Sequence, residues 1–198
     1  GIAAIAFVNP GYQPGRFPVI AAGELPFLVT NAKGGSAAID AWYREYAEQE
    51  MSDVKLCLVH LHSPGTFHSR EQIRVPTDIN GMNVRPAHAT MAAFISELGG
   101  QNFQVSAPES RDALERGIAD AITFPWNSII LFGIQDAVSY HLDMPFYATT
   151  FAWVMNQAKY DGLSDAQRQV IDDHCNSDWA ERVASGWADE EDSGRDKL

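Results

Sequence analysis

The chain is poor in the features that would tie it to nucleic acid, a membrane or an enzyme. Lys and Arg number 14 against 26 Asp and Glu, a formal net charge of −12. Phosphate backbones need a clustered basic face, so this balance excludes a nucleic-acid partner. It also repels anions at long range, so an anion site has to be built from local donors. Long apolar runs are missing: Ser128-Ile-Ile-Leu-Phe-Gly-Ile134 falls well short of the roughly 18 residues that cross a bilayer. There are only 2 cysteines, Cys57 and Cys175. They lie far apart, in what read as a strand and a helix, which predicts two free core thiols. Ser63 and Ser128 lack the glycines of a nucleophile elbow. Gly34-Gly-Ser36 lacks the length and the lysine of a phosphate loop, and no cofactor is expected.

What is present is an ordinary globular composition, 198 residues with 45% hydrophobic and 20% charged. Ala3–Val8 reads as a buried strand that starts almost at the first residue without a basic leader, which reads as a cut chain. A turn-rich loop follows, Asn9-Pro-Gly-Tyr-Gln-Pro-Gly-Arg-Phe-Pro18. Ser36 can cap a helix with Ile39, Trp42, Tyr43 and Tyr46 on one face, and Val54–Leu61 reads as a strand. The middle third has the clearest rhythm: strand 82–85, helix 90–98 stopped by Gly99-Gly100, strand 103–106, a helix from Pro108 to Gly117, and strand 118–123. This β-α-β-α-β order implies parallel strands with right-handed crossovers. An apolar helix is predicted over Ser128–Tyr140 and a buried strand over Tyr147–Asn156. The capping box Ser164-Asp-Ala-Gln167 opens a helix with Ile171, Cys175, Trp179 and Val183 on one face. Asp189-Glu-Glu-Asp192 reads as a solvated helix end, and Trp179 and Trp187 as core.

Ligands of open parallel sheets sit beyond the carboxyl ends of the strands. Here one strand ends at Asn9 with Tyr12 close behind. Two others end at Arg85, in Asp78-Ile-Asn-Gly-Met-Asn-Val-Arg-Pro86, and at Thr123-Phe-Pro-Trp-Asn127. Arg85 facing Phe124, Trp126 and Tyr12 would make a dry aromatic slot with one cation. That suits a carboxylate, which accepts the two-pronged guanidinium fork. The residues alone also leave open an exposed Arg85 paired with a nearby acid. His60 and His62 share one strand face, with His68 six residues on, and could begin a zinc site. Leu56 and Leu58 share that face and no acidic third ligand is near, so loop histidines held by hydrogen bonds are expected, with no metal.

Several spaced stretches, "GYQPGRFP…ELPF", "VHLHSPG", "DINGMNVRP", "ALERGIADA…FPW" and "YDGLSDAQRQVIDD", together resemble the dicarboxylate-receptor-like solute receptors of tripartite ATP-independent periplasmic (TRAP) transporters. The resemblance runs over essentially the whole chain. It implies a two-lobe α/β fold of the periplasmic binding protein type II kind, each lobe a sheet flanked by helices, with a long connecting helix. Residues 1–76 with 145–198 would form the first lobe, 77–127 the second, and 128–144 the connecting helix and hinge. It implies that Arg85 bridges to the ligand carboxylate, with Phe124, Trp126 and Tyr12 as walls and Asn9, Phe67 and Asn127 as further contacts. It implies a periplasmic, non-catalytic protein that hands a small organic acid to membrane permease subunits. Ala121 stands where the family has glycine, and Ala107 where some members place a pocket aromatic. The extra arginine that sialic-acid receptors carry near Thr66-Phe67 is absent, which implies another ligand. Members begin with a further strand and helix before Gly1 and continue past Leu198, and the edge left by a missing strand could support self-association. Two other functions fit some of these residues: a ligand-binding sensory module, and a metal-dependent hydrolase built on His60, His62 and His68.

Overall fold

The computed structural model describes residues 3–198; Gly1 and Ile2, which open the chain, lie outside them. Among the described residues there are strands β1 (Ile5–Val8), β2 (Val54–Leu61), β3 (Thr66–Ser69), β4 (Asn83–Arg85), β5 (Gln101–Asn102), β6 (Ala121–Phe124), β7 (Tyr140–His141) and β8 (Thr150–Asn156). The helices are α1 (Ala32–Tyr43), α2 (Ala47–Met51), α3 (Ala89–Glu97), α4 (Ser110–Glu115), α5 (Trp126–Leu131), α6 (Gln157–Asp161), α7 (Asp165–His174) and α8 (Ser177–Lys197). Two sheets result, in the orders β1-β8-β2 and β5-β4-β6-β3-β7.

The second sheet contains the predicted β-α-β-α-β unit, with β4 parallel to both β5 and β6. β5 stops at Asn102, short of the predicted 103–106; the Phe103 N–H makes a last bond to the Val84 carbonyl (3.0 Å), and the Phe103 and Val105 side chains pack against a core of Leu114, Ile122 and Phe124. The last strand begins only at Ala121. Asp120 is tied to Asn83 by its own N–H and, through its carboxylate, by the Asn83 N–H (2.8 Å). β3 and β7 then join this sheet in antiparallel fashion. Residues 66–69 and 140–141 therefore lie in the second sheet, not in the first lobe and connecting helix where the sequence division put them.

The helix predicted over Ser128–Tyr140 is α5 alone; Gly133, at φ 65°, breaks it and leaves no connecting helix there. The long element is instead α8, 21 residues, packed along α1 and β2 of the first sheet and then onto α5, the helix that follows β6. At that crossing Gly194 sits so close that any Cβ would collide with the backbone of Asn127.

In the first sheet β8 runs antiparallel to both neighbours. β1, predicted as a buried strand, is an edge strand with Ile5 and Phe7 partly exposed, since it has a partner on one side only. α1 starts at Ala32, where the Asn31 side chain accepts the Gly34 N–H at 3.0 Å. Ser36, expected as the cap, is buried within the helix, and its hydroxyl accepts the Leu61 N–H at 2.9 Å.

Cys57 and Cys175, expected to be free, form a disulfide across 118 residues. The register of β2 on β8 slips between Leu56 and Leu58, so Cys57 sits unpaired at a bulge. α7 ends at His174, so Cys175 and Trp179 do not share one helix; Cys175 caps α7 before α8 begins. Closing so long a loop restricts the unfolded chain strongly. Cys175→Ser is expected to lower unfolding free energy by about 4–5 kcal/mol, read by urea titration under oxidising conditions. A midpoint equal to the parent's would show that the bridge stabilises nothing.

Candidate functional site

β4 ends on Arg85, and Pro86 keeps that residue in extended backbone, so its side chain leaves at the carboxyl end of a parallel strand. Arg85 is only 2% exposed. Its Nε donates to the Val105 carbonyl (3.1 Å), Nη1 to the Thr123 carbonyl (3.3 Å) and Nη2 to the Tyr12 hydroxyl (3.1 Å). The Phe124 ring lies 4.7 Å from the guanidinium carbon. None of these partners is an anion, and among the described residues no carboxylate pairs with Arg85. A guanidinium has five N–H donors; three are used here and two are open. A buried cation without a counter-ion costs several kcal/mol, which carbonyl dipoles and a ring face only partly offset. An incoming carboxylate would complete the set.

The cavity around Arg85 holds about 370 Å³ and is lined from both sheets. Phe7, Phe124, Phe132, Phe151 and Trp187 give it aromatic walls. Tyr147 also lines it, with a buried hydroxyl that has no hydrogen-bond partner. Its ring covers Gly65, where a Cβ would come within 2.5 Å of that hydroxyl. Burial pushes the Tyr147 phenol above its ordinary range, so it stays neutral and able to donate.

Of the sequence-predicted residues, Arg85, Phe124, Tyr12 and Asn9 line this cavity. Three do not. Trp126 turns to the opposite side, packing on His68 (5.2 Å) and His141 (5.6 Å) and lining a separate polar cavity with Lys33, Asp143 and Arg195. Phe67 is fully buried in the second-sheet core against Phe146. Asn127 offers its backbone N–H to Glu191 and is covered by α8. The three histidines also separate. His68 belongs to β3, where Nε2 faces the Phe124 carbonyl (3.0 Å) and Nδ1 meets His141 (2.7 Å). His60 and His62 are on β2 and at its end, in the first sheet. His60 lies buried within 5.8 Å of Phe7 and Phe151 with neither nitrogen bonded, in place of the expected hydrogen-bonded loop position.

Two features were hidden. Glu191, expected in a solvated run, is 4% exposed and accepts the N–H groups of Asn127 and Ser128 and the Ser128 hydroxyl (2.8 Å). Burial raises its pKa. His62 Nε2 lies 3.5 Å from the same carboxylate, and burial pushes this imidazole down to about 4. His62 follows β2, so the strand-end rule that selected Asn9 and Arg85 would also have selected it. Trp187, expected in the core, is 37% exposed and faces the cavity from α8, and no local pattern signals that.

Behind Arg85, His88 caps α3: Nδ1 accepts the Met91 N–H (3.2 Å) and Nε2 donates to the Ala148 carbonyl (3.2 Å). Glu24 Oε2 is 3.3 Å from that Nδ1, both side chains being almost fully buried. With Nδ1 unprotonated, the two groups are compatible only if Glu24 carries a proton. Burial accordingly raises Glu24 to about 8 and lowers His88 to about 3.

Fold and site thus define a two-sheet α/β protein with an uncompensated cation in an aromatic cavity lined from both sheets. A profile of the bacterial extracellular solute-binding proteins of family 7 matches residues 1–198. The chain belongs to that family. It is similar to a marine-metagenome TRAP solute binding protein specific for aromatic acid ligands, solved with metahydroxyphenylacetate (30% identity, TM-score 0.92, 99% of this chain and 63% of that one). A Rhodoferax ferrireducens TRAP solute binding protein solved with copurified benzoate is likewise 30% identical (TM-score 0.89, 98% and 64%). One from Bordetella bronchiseptica, solved with both enantiomers of mandelate, is 25% identical (TM-score 0.93, 98% and 64%). The chain spans under two thirds of the length of these relatives.

Proposed function

We propose that this chain is the ligand-capturing part of a periplasmic TRAP receptor that takes one small aromatic monocarboxylate and passes it to membrane permease subunits. The observation that carries the reading is Arg85, buried with two donors open and no carboxylate partner, in a cavity walled by rings. Tyr12 and Tyr147 stand as supporting donors, Phe124 as the wall under the cation, and Asn9 at the rim. The cavity offers a single guanidinium. A dicarboxylate would bury its second charge among rings and near Glu191, at a cost of several kcal/mol. The relatives solved with aromatic acids support the same choice. The disulfide fits an oxidising compartment.

The test is a thermal melt with C2 to C10 mono- and dicarboxylates, keto acids and aromatic acids. An aromatic monocarboxylate should raise the midpoint by several degrees, because a ligand that binds only the native state stabilises it. A dicarboxylate of similar size should raise it less. A larger shift from succinate or glutarate than from any aromatic acid would sink the reading.

A further inference from the structure

Besides the Arg85 guanidinium, the cavity has a polar corner at His62 and Ser128. His62 follows β2, its backbone N–H held by the Thr149 carbonyl at 2.9 Å, and Ser128 lies in the first turn of α5; both line the cavity. The two meet at one atom: Glu191 Oε1 accepts the Ser128 hydroxyl at 2.8 Å and lies 3.5 Å from His62 Nε2. The surroundings are aromatic, with Trp187 at 5.2 Å and Phe151 at 6.1 Å from the imidazole. The imidazole is nearly fully buried, yet Nδ1 has no hydrogen-bond partner, and 3.5 Å is too long for a good bond from Nε2. A buried polar ring left unpaired costs free energy that a ligand group of matching chemistry recovers.

We propose that His62, with Ser128 beside it, is a second polar subsite that takes a hydroxyl on the ring of the acid whose carboxylate Arg85 holds. This rests on the aromatic-carboxylate reading of the cavity. A hydroxyl suits a neutral imidazole in either tautomer, since it donates to a bare nitrogen and accepts from a protonated one. A second carboxylate does not suit it: Glu191 stands next to the subsite, and burial keeps His62 from supplying positive charge. Glu191 acts here as a positioning residue, holding Ser128 at the mouth of the corner.

The experiment is calorimetric titration of the protein with benzoate and with its 2-, 3- and 4-hydroxy derivatives. At least one hydroxy isomer should bind about tenfold tighter than benzoate, the ratio that one net hydrogen bond gives. In His62→Leu that ratio should fall to within about twofold, and His62→Gln, which keeps a polar group, should restore part of it. Equal affinities for benzoate and all three isomers would overturn the subsite, as would an undiminished ratio in His62→Leu. Where His62→Leu gives no cooperative melt, His62→Gln decides, and a ratio unchanged from the parent overturns the proposal. A parent protein that binds no aromatic acid fails differently, since it overturns the reading of the whole cavity.

Discussion

Arg85→Met is expected to lose any thermal shift that an aromatic acid gives the parent, with an affinity lower by roughly a hundredfold. The size follows from the site: removing one side of a buried, hydrogen-bonded charge pair costs about 2–5 kcal/mol, because the ligand carboxylate is left desolvated with no cation. The ligand-free variant behaves oppositely to an ordinary core truncation. In the parent the guanidinium is buried against two carbonyls, a phenol and a ring, with no anion. Replacing a buried, uncompensated charge by an unbranched apolar side chain is often neutral or stabilising. The empty Arg85→Met protein should therefore melt near the parent or above it while failing to respond to acid. Arg85→Lys keeps the charge but loses the fork, and should recover only part of the affinity. Calorimetric titration and melts on the same samples decide it. Full affinity in Arg85→Met would remove Arg85 from the site.

The second large effect is acid lability, with a stability maximum near pH 6.5. His60 and His62 are held down to about 4 and His68 to about 3, in each case chiefly by burial. Unfolded, each binds a proton near pH 6.5, so below that value the unfolded state gains protons that the folded state refuses. Stability present above pH 6.5 is therefore lost as pH falls through the window from 6.5 toward 4. The slope per group rises from half its limit of about 1.4 kcal/mol per pH unit at 6.5 toward that limit below it, so three cost about 3 kcal/mol between pH 6.5 and 5.5. That is a large share of the roughly 5–15 kcal/mol that a domain possesses.

Glu24 and His88 behave as a pair with opposed signs. Glu24, raised to about 8, keeps a proton that the unfolded chain releases above about 4.5, so its contribution declines as pH rises to 8. His88, lowered to about 3, gives the reverse slope below 6.5. Between 4.5 and 6.5 the two cancel. Above 6.5 only Glu24 acts, and stability should fall by about 2 kcal/mol by pH 8. The charged and polar groups facing this pair are Arg85, which bears on His88, and Thr90 with the Thr150 N–H, which bond Glu24. Urea midpoints at pH 5, 6.5 and 8 should thus trace a peak. Glu24→Gln should flatten its alkaline side and steepen its acid side, where His88 is no longer offset. A midpoint constant from pH 5 to 8 would contradict both limbs.

Arg85 was selected because a strand end before proline is a local pattern, and the structure buries it at the cavity. Tyr12 and Phe124 followed from the same rule. Trp126 and Asn127 were misplaced because α5 begins at Trp126, one residue after the strand-end loop, and one helical step of about 100° turns a side chain from one cavity to another. Phe67 was misplaced because β3 lies inside a sheet whose membership no local pattern shows. Tyr147 read as the start of a buried strand, yet its ring lies over Gly65 at the cavity wall.

Local sequence carried the parallel β-α-β-α-β unit, the capped start of α7, the strand that bears His60 and the place of Arg85 at a strand end. Each is set by periodicity, proline and glycine placement or capping chemistry within about ten residues. Only the tertiary structure decided the Cys57–Cys175 bridge, the transfer of 66–69 and 140–141 into the second sheet, and the role of α8 in place of a helix at 128–140. It likewise decided that Glu191 is buried and that Trp187 lines the cavity. Each of these joins residues tens of positions apart, where burial comes from another segment's surface rather than from the residue's neighbours. In α8 the acidic run looks solvated along the chain, and it is α5, brought against Gly194, that takes Glu191 out of water.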